Sequence, residues 1–99
     1  MFAKMDYDIN LVKKALVTLA IEETLLDIGK LAYDKVAFTL YQKYNSYFQD
    51  CYEHPEYLNE ILHQLYGNGH EAIVNSIKKQ LEEFSYNTPI EKFLKVLSK

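Results

Sequence analysis

KLAYDKVAFTLYQKY, residues 30–44, is the stretch of sequence that decides the fold class. Its apolar and aromatic residues recur at intervals of three and four, which is the spacing of one face of an α-helix. These residues are Tyr33, Val36, Ala37, Leu40, Tyr41 and Tyr44. Gly29 precedes the stretch and Asn45-Ser46 follows it, and such residues interrupt helices. The pattern therefore predicts an amphipathic helix over about residues 30–44.

Helical spacing continues on both sides of this stretch. A first helix begins near Asp8 or Asn10, either of which has the side chain of an N-cap residue, and it ends at Gly29. On the other side, a third helix opens with Pro55 at its first position, where the missing N–H is not needed, and it ends at Gly67. Residues 45–54 between them are predicted to form a loop that its aromatic residues hold against the core.

The last third of the chain carries the clearest helix-start signal. A fourth helix begins near His70, and Thr88-Pro89-Ile90-Glu91 then predicts a fifth, with Thr88 as N-cap and Glu91 completing a capping box. No segment has the alternation of a strand. We therefore expect an all-α protein, a compact bundle of about five short helices that forms one domain over residues 1–99.

The first helix is apolar on two sides. One face carries Val12, Ala15, Leu16, Leu19 and Leu26, and roughly the opposite face carries Val17, Ile21, Leu25 and Ile28. A surface helix of a small domain needs only one apolar face. This helix is therefore expected either to lie between other helices or to form a contact between subunits.

Length, charge and cysteine content exclude several classes of protein. The chain has 99 residues, 48% of them hydrophobic, and 11 basic residues, all Lys, against 14 acidic ones, for a net charge of −3. This composition fits a single globular domain, and its acidic balance argues against nucleic acid as a partner. Cys51 stands alone, so no internal disulfide forms, and there is no secretory signal or apolar run of about 20 residues. We expect a soluble, cytoplasmic protein without a membrane segment.

Few residue patterns point to chemistry. Residues 67–72, GNGHEA, match the letters of a dinucleotide-binding fingerprint, but that motif needs a preceding strand and a helix is predicted there. The possible metal ligands are Cys51, His54, His63 and His70, whose spacing lacks the two closely spaced pairs of most zinc sites. Whether these four residues bind a metal stays open. The sequence predicts no catalytic residues, no cofactor and no enzyme activity.

Aromatic residues are unusually concentrated in the middle of the chain. Nine of the 14 Phe and Tyr residues lie between Tyr33 and Tyr66. Tyrosine joins a large apolar body to a polar tip and is enriched at interfaces, although the same residues could fill a small core. We predict a candidate interface, which with the two-faced first helix comprises Ile21, Leu25, Tyr33, Tyr41, Tyr47 and Tyr52.

Parts of the chain resemble a known family. The run Ile28-Gly29-Lys30 through Val36, Phe38, Leu40 and Tyr44, together with residues 53–58 (EHPEYL) and 65–69 (LYGNG), is similar to small archaeal domains named nitrosopumilus output domains. The resemblance covers roughly residues 12 to 85. It implies a small α-helical domain with a regulatory role in signalling-like chains, and it supplies no catalytic residues.

These observations predict a protein-interaction or regulatory module without catalytic activity, which self-associates as a homodimer or binds another protein. One alternative is a transcription-related helical DNA-binding protein. A second alternative is a helical protein that binds a small ligand or a metal.

Overall fold

Helices make up almost all of the chain that the structure describes. A computed structural model describes residues 9–84 and 88–99, which form the helices α1 (Ile9–Ile28), α2 (Lys30–Tyr44), α3 (Pro55–Tyr66), α4 (His70–Gln80) and α5 (Thr88–Leu97). Short 3₁₀ segments cover Phe48–Tyr52, Gly67–Gly69 and Glu82–Phe84. There is no strand in these two ranges, so the prediction of an all-α fold is confirmed for them.

Gly29 alone separates α1 from α2. Its N–H donates to the Leu25 carbonyl at 3.0 Å, and its own carbonyl accepts from the Tyr33 N–H at 3.1 Å, so it belongs to the hydrogen-bond ladders of both helices. If α1 and α2 are counted as one unit because Gly29 links their hydrogen-bond ladders, the described residues hold four α-helical units. The sequence predicts about five separate helices. Gly29 has φ 153° and ψ 156°, a backbone conformation that is almost restricted to glycine.

The bounds of α2 agree with the sequence prediction, and Asn45 explains its end. Asn45 has φ 53° and ψ 41°, and its N–H points back to the carbonyls of Leu40 and Tyr41. Asparagine tolerates this left-handed conformation better than most residues do, and it satisfies carbonyls that would otherwise have no partner. The predicted start of α3 at Pro55 and its end before Gly67 are confirmed as well.

Two predicted N-caps differ from the structure. α1 already includes Asn10, so Asn10 does not cap it, and Asp8 lies outside the described residues. α5 includes Thr88 as its first residue, so Thr88 occupies a helical position and not the cap before it. Helix ends shift by a residue or two with small changes in hydrogen bonding, which is why a capping motif places a helix better than it places its first residue.

The core lies along one side of α1. Helices α2, α4 and α5 and the 3₁₀ segment Phe48–Tyr52 all contact α1, and α3 packs between α2 and α5. The buried apolar side chains are Val17, Ala20, Ile21, Leu25, Val36, Leu40, Phe48, Cys51, Leu58, Ile61, Leu62, Ile73, Val74, Ile77, Leu81, Ile90, Phe93, Leu94 and Leu97. Every helix of the described chain contributes to this one cluster, as expected of a single small domain.

The predicted loop after α2 is held to the core as expected, although half of it is helical. Phe48 and Cys51 bury their side chains in the core from the 3₁₀ segment. The Tyr47 N–H donates to the Asp50 carboxylate at 2.8 Å, which closes the start of that segment. Within the described ranges, no helix is both long and apolar enough to cross a membrane.

Candidate functional site

The outward face of α1 carries a row of solvent-exposed apolar side chains. This row, which we name the α1 outer stripe, consists of Leu11, Val12, Ala15, Leu19 and Leu26. Leu11 is 62% exposed, Leu19 51% and Leu26 50%. Single exposed leucines are ordinary on protein surfaces, but a row of them along one helix face is typical of a contact surface.

A shallow groove of about 620 Å³ follows the outer stripe. Its apolar lining comes from Leu11, Ala15 and Leu19, and its charged groups are Lys14 and Glu22. The Lys14 ammonium is 3.1 Å from the Glu53 carboxylate, whereas Glu22 makes no ion pair with any residue in the described ranges. The groove therefore joins an apolar floor to one cation toward the start of α1 and one carboxylate farther along it.

The candidate interface predicted from the sequence is divided by the structure. Ile21 and Leu25 have no exposed surface because they lie on the inner face of α1 and pack into the core. Neither side chain is accessible to a partner, and both are removed from the candidate interface. The two predicted faces of α1 thus differ in burial, except that Leu16 packs against the core and Ile28 is 53% exposed.

The four predicted interface tyrosines also divide into two pairs. Tyr41 and Tyr47 are more than half exposed, and their rings pack together with centroids 5.9 Å apart. Tyr33 is half-buried against Phe48, with ring centroids 5.1 Å apart. Tyr52 is also half-buried, and burial, together with the Glu53 carboxylate, raises the pKa of its hydroxyl. Tyr41 and Tyr47 therefore stay available to a partner, while Tyr33 and Tyr52 serve mainly to cover the core.

A further aromatic stack fixes the start of α3. Tyr57 lies between Tyr44, at a centroid distance of 4.0 Å and with nearly parallel rings, and His54, at 4.6 Å. The His54 ring nitrogen Nδ1 is 3.1 Å from the Glu56 carboxylate. His54 is thus occupied by a local contact on α3, and not by the neighbouring Cys51.

Cys51 lacks the features of a reactive thiol. It is fully buried, and burial raises the pKa of its thiol to about 12, with smaller contributions from the Asp50 and Glu56 carboxylates. The thiolate is the nucleophilic and metal-binding form, so this environment suppresses both kinds of chemistry at neutral pH. Across residues 9–84 and 88–99, no three His, Cys, Asp or Glu side chains come together in a way that could hold a metal.

The glycine-containing turn lies beside a cleft. Gly67–Gly69 joins α3 directly to α4. A helix therefore precedes the turn, at the place where a dinucleotide fingerprint requires a strand. A cleft of about 490 Å³ lies next to the turn. Its lining includes His63 and His70 as well as the cations Lys78 and Lys99. His70 is buried, and its Nε2 is 3.0 Å from the Leu97 carbonyl, which ties the start of α4 to the end of α5.

Ile21 and Leu25, which the sequence assigned to the candidate interface, are buried, whereas the exposed Leu11 was not singled out. The periodicity identified two apolar faces, but hydrophobic content alone does not rank them, because both consist of aliphatic side chains. Thr24 and Ala20 accompany the buried face, whereas Glu22 borders the exposed one. That carboxylate was the available signal, since ionised side chains are almost never fully buried without a partner.

No protein-family model, no curated protein and no solved structure matches the chain. The resemblance to nitrosopumilus output domains therefore stays a prediction from the quoted residues.

Proposed function

We propose that the protein is a cytoplasmic, non-catalytic interaction module that self-associates through the α1 outer stripe. The observation that carries this proposal is the second apolar face of α1, which stays exposed after the rest of the helix has contributed to the core. Leu11, Leu19 and Leu26 on that face expose half or more of their side chains. The exposed tyrosines Tyr41 and Tyr47 offer a second, smaller contact area.

Burial of the outer stripe would stabilise a complex. Removing apolar surface from water contributes about 25 cal/mol per Å², and a leucine side chain that becomes fully buried contributes about 2 kcal/mol. A helix presents such residues to a partner helix as a continuous ridge, and the groove beside the stripe can accept the ridge of that partner. A regulatory role, as the family resemblance implies, would act through this contact and not through chemistry.

The proposed absence of catalysis is supported by the state of Cys51 and of two histidines, His54 and His70. The Cys51 thiol is buried and protonated. His54 is engaged with Glu56 and Tyr57, and His70 with the Leu97 carbonyl. These contacts are those of a structural framework, whereas a catalytic group needs a free face toward a substrate.

Sedimentation equilibrium over a wide concentration range tests self-association. We expect the wild-type chain to sediment as a dimer and to dissociate on dilution. Leu19→Gln, at the middle of the outer stripe, should shift the protein to monomer. Phe38→Gln is the matched control, because Phe38 is 60% exposed, against 51% for Leu19, but lies on α2.

Circular dichroism should show the same helix content for both variants, because neither side chain belongs to the core. A wild-type chain that stays monomeric at every concentration would overturn the proposal. So would a Leu19→Gln variant with unchanged mass.

A second candidate, binding to DNA or another polyanion, is favoured by one observation. Five exposed lysines of α4, α5 and the chain end form no ion pair with other described residues, and they are Lys78, Lys79, Lys92, Lys95 and Lys99. Exposed carboxylates on the same helices, such as Glu71 and Glu91, oppose it. A duplex mobility shift at low salt that disappears with rising salt would support this candidate, and the absence of any shift would exclude it.

A further inference from the structure

We infer that the occupant of the α1 outer stripe is a second copy of this chain, whose α1 lies antiparallel to the first across a two-fold axis near Leu19. This inference rests on the proposed function and specifies its partner and geometry. It follows from the order of apolar and charged side chains along α1, which is self-complementary only when one copy is reversed.

The apolar residues of the stripe are placed symmetrically about Leu19. Leu11 precedes Leu19 by eight residues, and Leu26 follows it by seven. At 1.5 Å of rise per residue, these separations are about 12 and 10 Å along the helix. In an antiparallel pair, Leu11 of each copy therefore lies opposite Leu26 of the other copy, and the two Leu19 side chains meet near the axis.

The charged groups of the groove follow the same symmetry. Lys14 precedes Leu19 by five residues and Glu22 follows it by three, and both line the groove. An antiparallel pair brings Lys14 of one copy near Glu22 of the other, twice per dimer. A parallel pair would set the two Lys14 residues at one height and the two Glu22 residues about 12 Å farther along the helices, so no Lys14 would lie near Glu22 of the other copy.

Glu22 gives independent support. Its side chain is half-buried at the groove, and it makes no ion pair with the rest of the described chain. The Lys14 ammonium already lies 3.1 Å from the Glu53 carboxylate of its own chain. In the dimer, the same ammonium would also contact the Glu22 carboxylate of the second copy. The dimer would thus supply the cation that Glu22 lacks within its own chain.

Site-specific cross-linking tests the direction of the helices. Leu11→Cys, Leu19→Cys and Leu26→Cys are prepared as three separate variants. Where two variants are mixed, one of them carries a mass tag, so that the mixed product differs in mass from the self-cross-linked products. A short bismaleimide is then added. We expect Leu19→Cys to cross-link to itself, and a mixture of Leu11→Cys with Leu26→Cys to form the mixed product. Leu11→Cys alone and Leu26→Cys alone should give little product. The wild-type chain is the control, because its Cys51 is buried.

The outcomes separate this inference from the proposed function. Self-cross-linking by all three variants, with no excess of mixed product, would show a parallel pair and overturn the antiparallel geometry while leaving self-association intact. A wild-type dimer whose variants give no cross-link would show that the dimer uses another face. A monomeric wild-type chain in sedimentation would overturn the proposed function itself.

A charge exchange provides a second test. Lys14→Glu and Glu22→Lys should each raise the dimer dissociation constant by about fivefold to tenfold, since each creates two like-charge contacts per dimer. The double variant Lys14→Glu/Glu22→Lys should have a lower dissociation constant than either single variant, because the pair between copies is again opposite in sign, although the ion pair with Glu53 within each chain is lost. Additive weakening in the double variant would overturn the proposed pairing.

Discussion

The imidazole rings of His63 and His70 are stacked, with their centroids 3.7 Å apart and their planes inclined by 18°. The two histidines differ in environment, because His63 is exposed and His70 is only 5% exposed. The Leu97 carbonyl near His70 can only accept a hydrogen bond, so Nε2 of His70 carries the proton. The pair therefore consists of a buried ring that links α4 to α5 and an outer ring that covers it.

Removal of the inner ring should destabilise the fold. His70→Ala deletes a buried side chain and leaves the Leu97 carbonyl without its donor, so we expect a loss of about 1–3 kcal/mol in the free energy of unfolding. His63→Ala removes only an exposed ring and should change that free energy by no more than about 0.5 kcal/mol. Urea unfolding at a single pH measures both values, and equal losses in the two variants would contradict this assignment.

The buried thiol should be unreactive until the chain unfolds. Burial raises the pKa of Cys51 from 9.0 to about 12, so almost none of it is thiolate at pH 8. We expect iodoacetamide to label the native protein far more slowly than the urea-unfolded protein, with one label per chain after unfolding. Rapid labelling of the folded protein would show that Cys51 is accessible.

The same pKa shift predicts how stability depends on alkaline pH. The folded chain holds the thiol proton more tightly than the unfolded chain does, so this contribution to stability is constant below pH 9. It then decreases as the pH rises from 9 toward 12, because the unfolded chain ionises first. A Cys51→Ala variant, compared with wild type by urea unfolding across that range, should lack this part of the decrease.

Some parts of the fold were predictable from local sequence alone. α2 has its buried apolar stripe between Gly29 and Asn45, and both flanking residues adopt backbone conformations that favour those residue types. The end of α3 at Gly67 was predicted for the same reason, since Gly67 has φ 52°. At Gly29, Asn45 and Gly67, the residue type that locally favours the end of a helix is also the type that the backbone conformation of the fold favours.

The candidate site was less predictable, because it depends on which face of α1 meets the other helices. Leu25 and Leu26 are adjacent and identical in chemistry, but the first is fully buried and the second is half exposed. The choice is made by packing against α2, α4 and α5, and within α1 only Glu22 beside the exposed face reflects that choice. The tyrosines were ambiguous for a related reason, since their rings fit a core and a surface equally well.

Gly29 and Gly69 should respond in opposite ways to the same substitution. Gly29 has φ 153°, which an L-residue rarely adopts, so Gly29→Ala should lower the free energy of unfolding by about 1–3 kcal/mol. Gly69 has φ −68° and ψ −13°, and a new Cβ would meet only the Tyr66 Cβ at 3.5 Å. Gly69→Ala should therefore be neutral or stabilise the protein by about 0.4–1 kcal/mol. Thermal unfolding measures both, and a similar loss in each would show that backbone conformation does not decide the effect.

Adjacent leucines on α1 should separate stability from self-association. Leu25→Ala removes a fully buried side chain from the core, so we expect it to lower the free energy of unfolding by about 2–5 kcal/mol. Leu26→Ala removes an exposed side chain and should change the stability of the monomer by no more than about 0.5 kcal/mol. Unfolding is measured at concentrations low enough for the chain to be monomeric, because dimer formation would add to apparent stability.

Sedimentation of the same two variants completes the comparison. At concentrations where the wild-type chain is a dimer, Leu26→Ala should weaken the dimer although its fold is intact, because Leu26 faces Leu11 of the second copy in the proposed antiparallel pair. Leu25→Ala should still dimerise under conditions in which it remains folded, because Leu25 lies on the inner face of α1. If Leu26→Ala lost stability as a monomer, or if Leu25→Ala lost only dimer formation, the two faces of α1 would have the opposite roles.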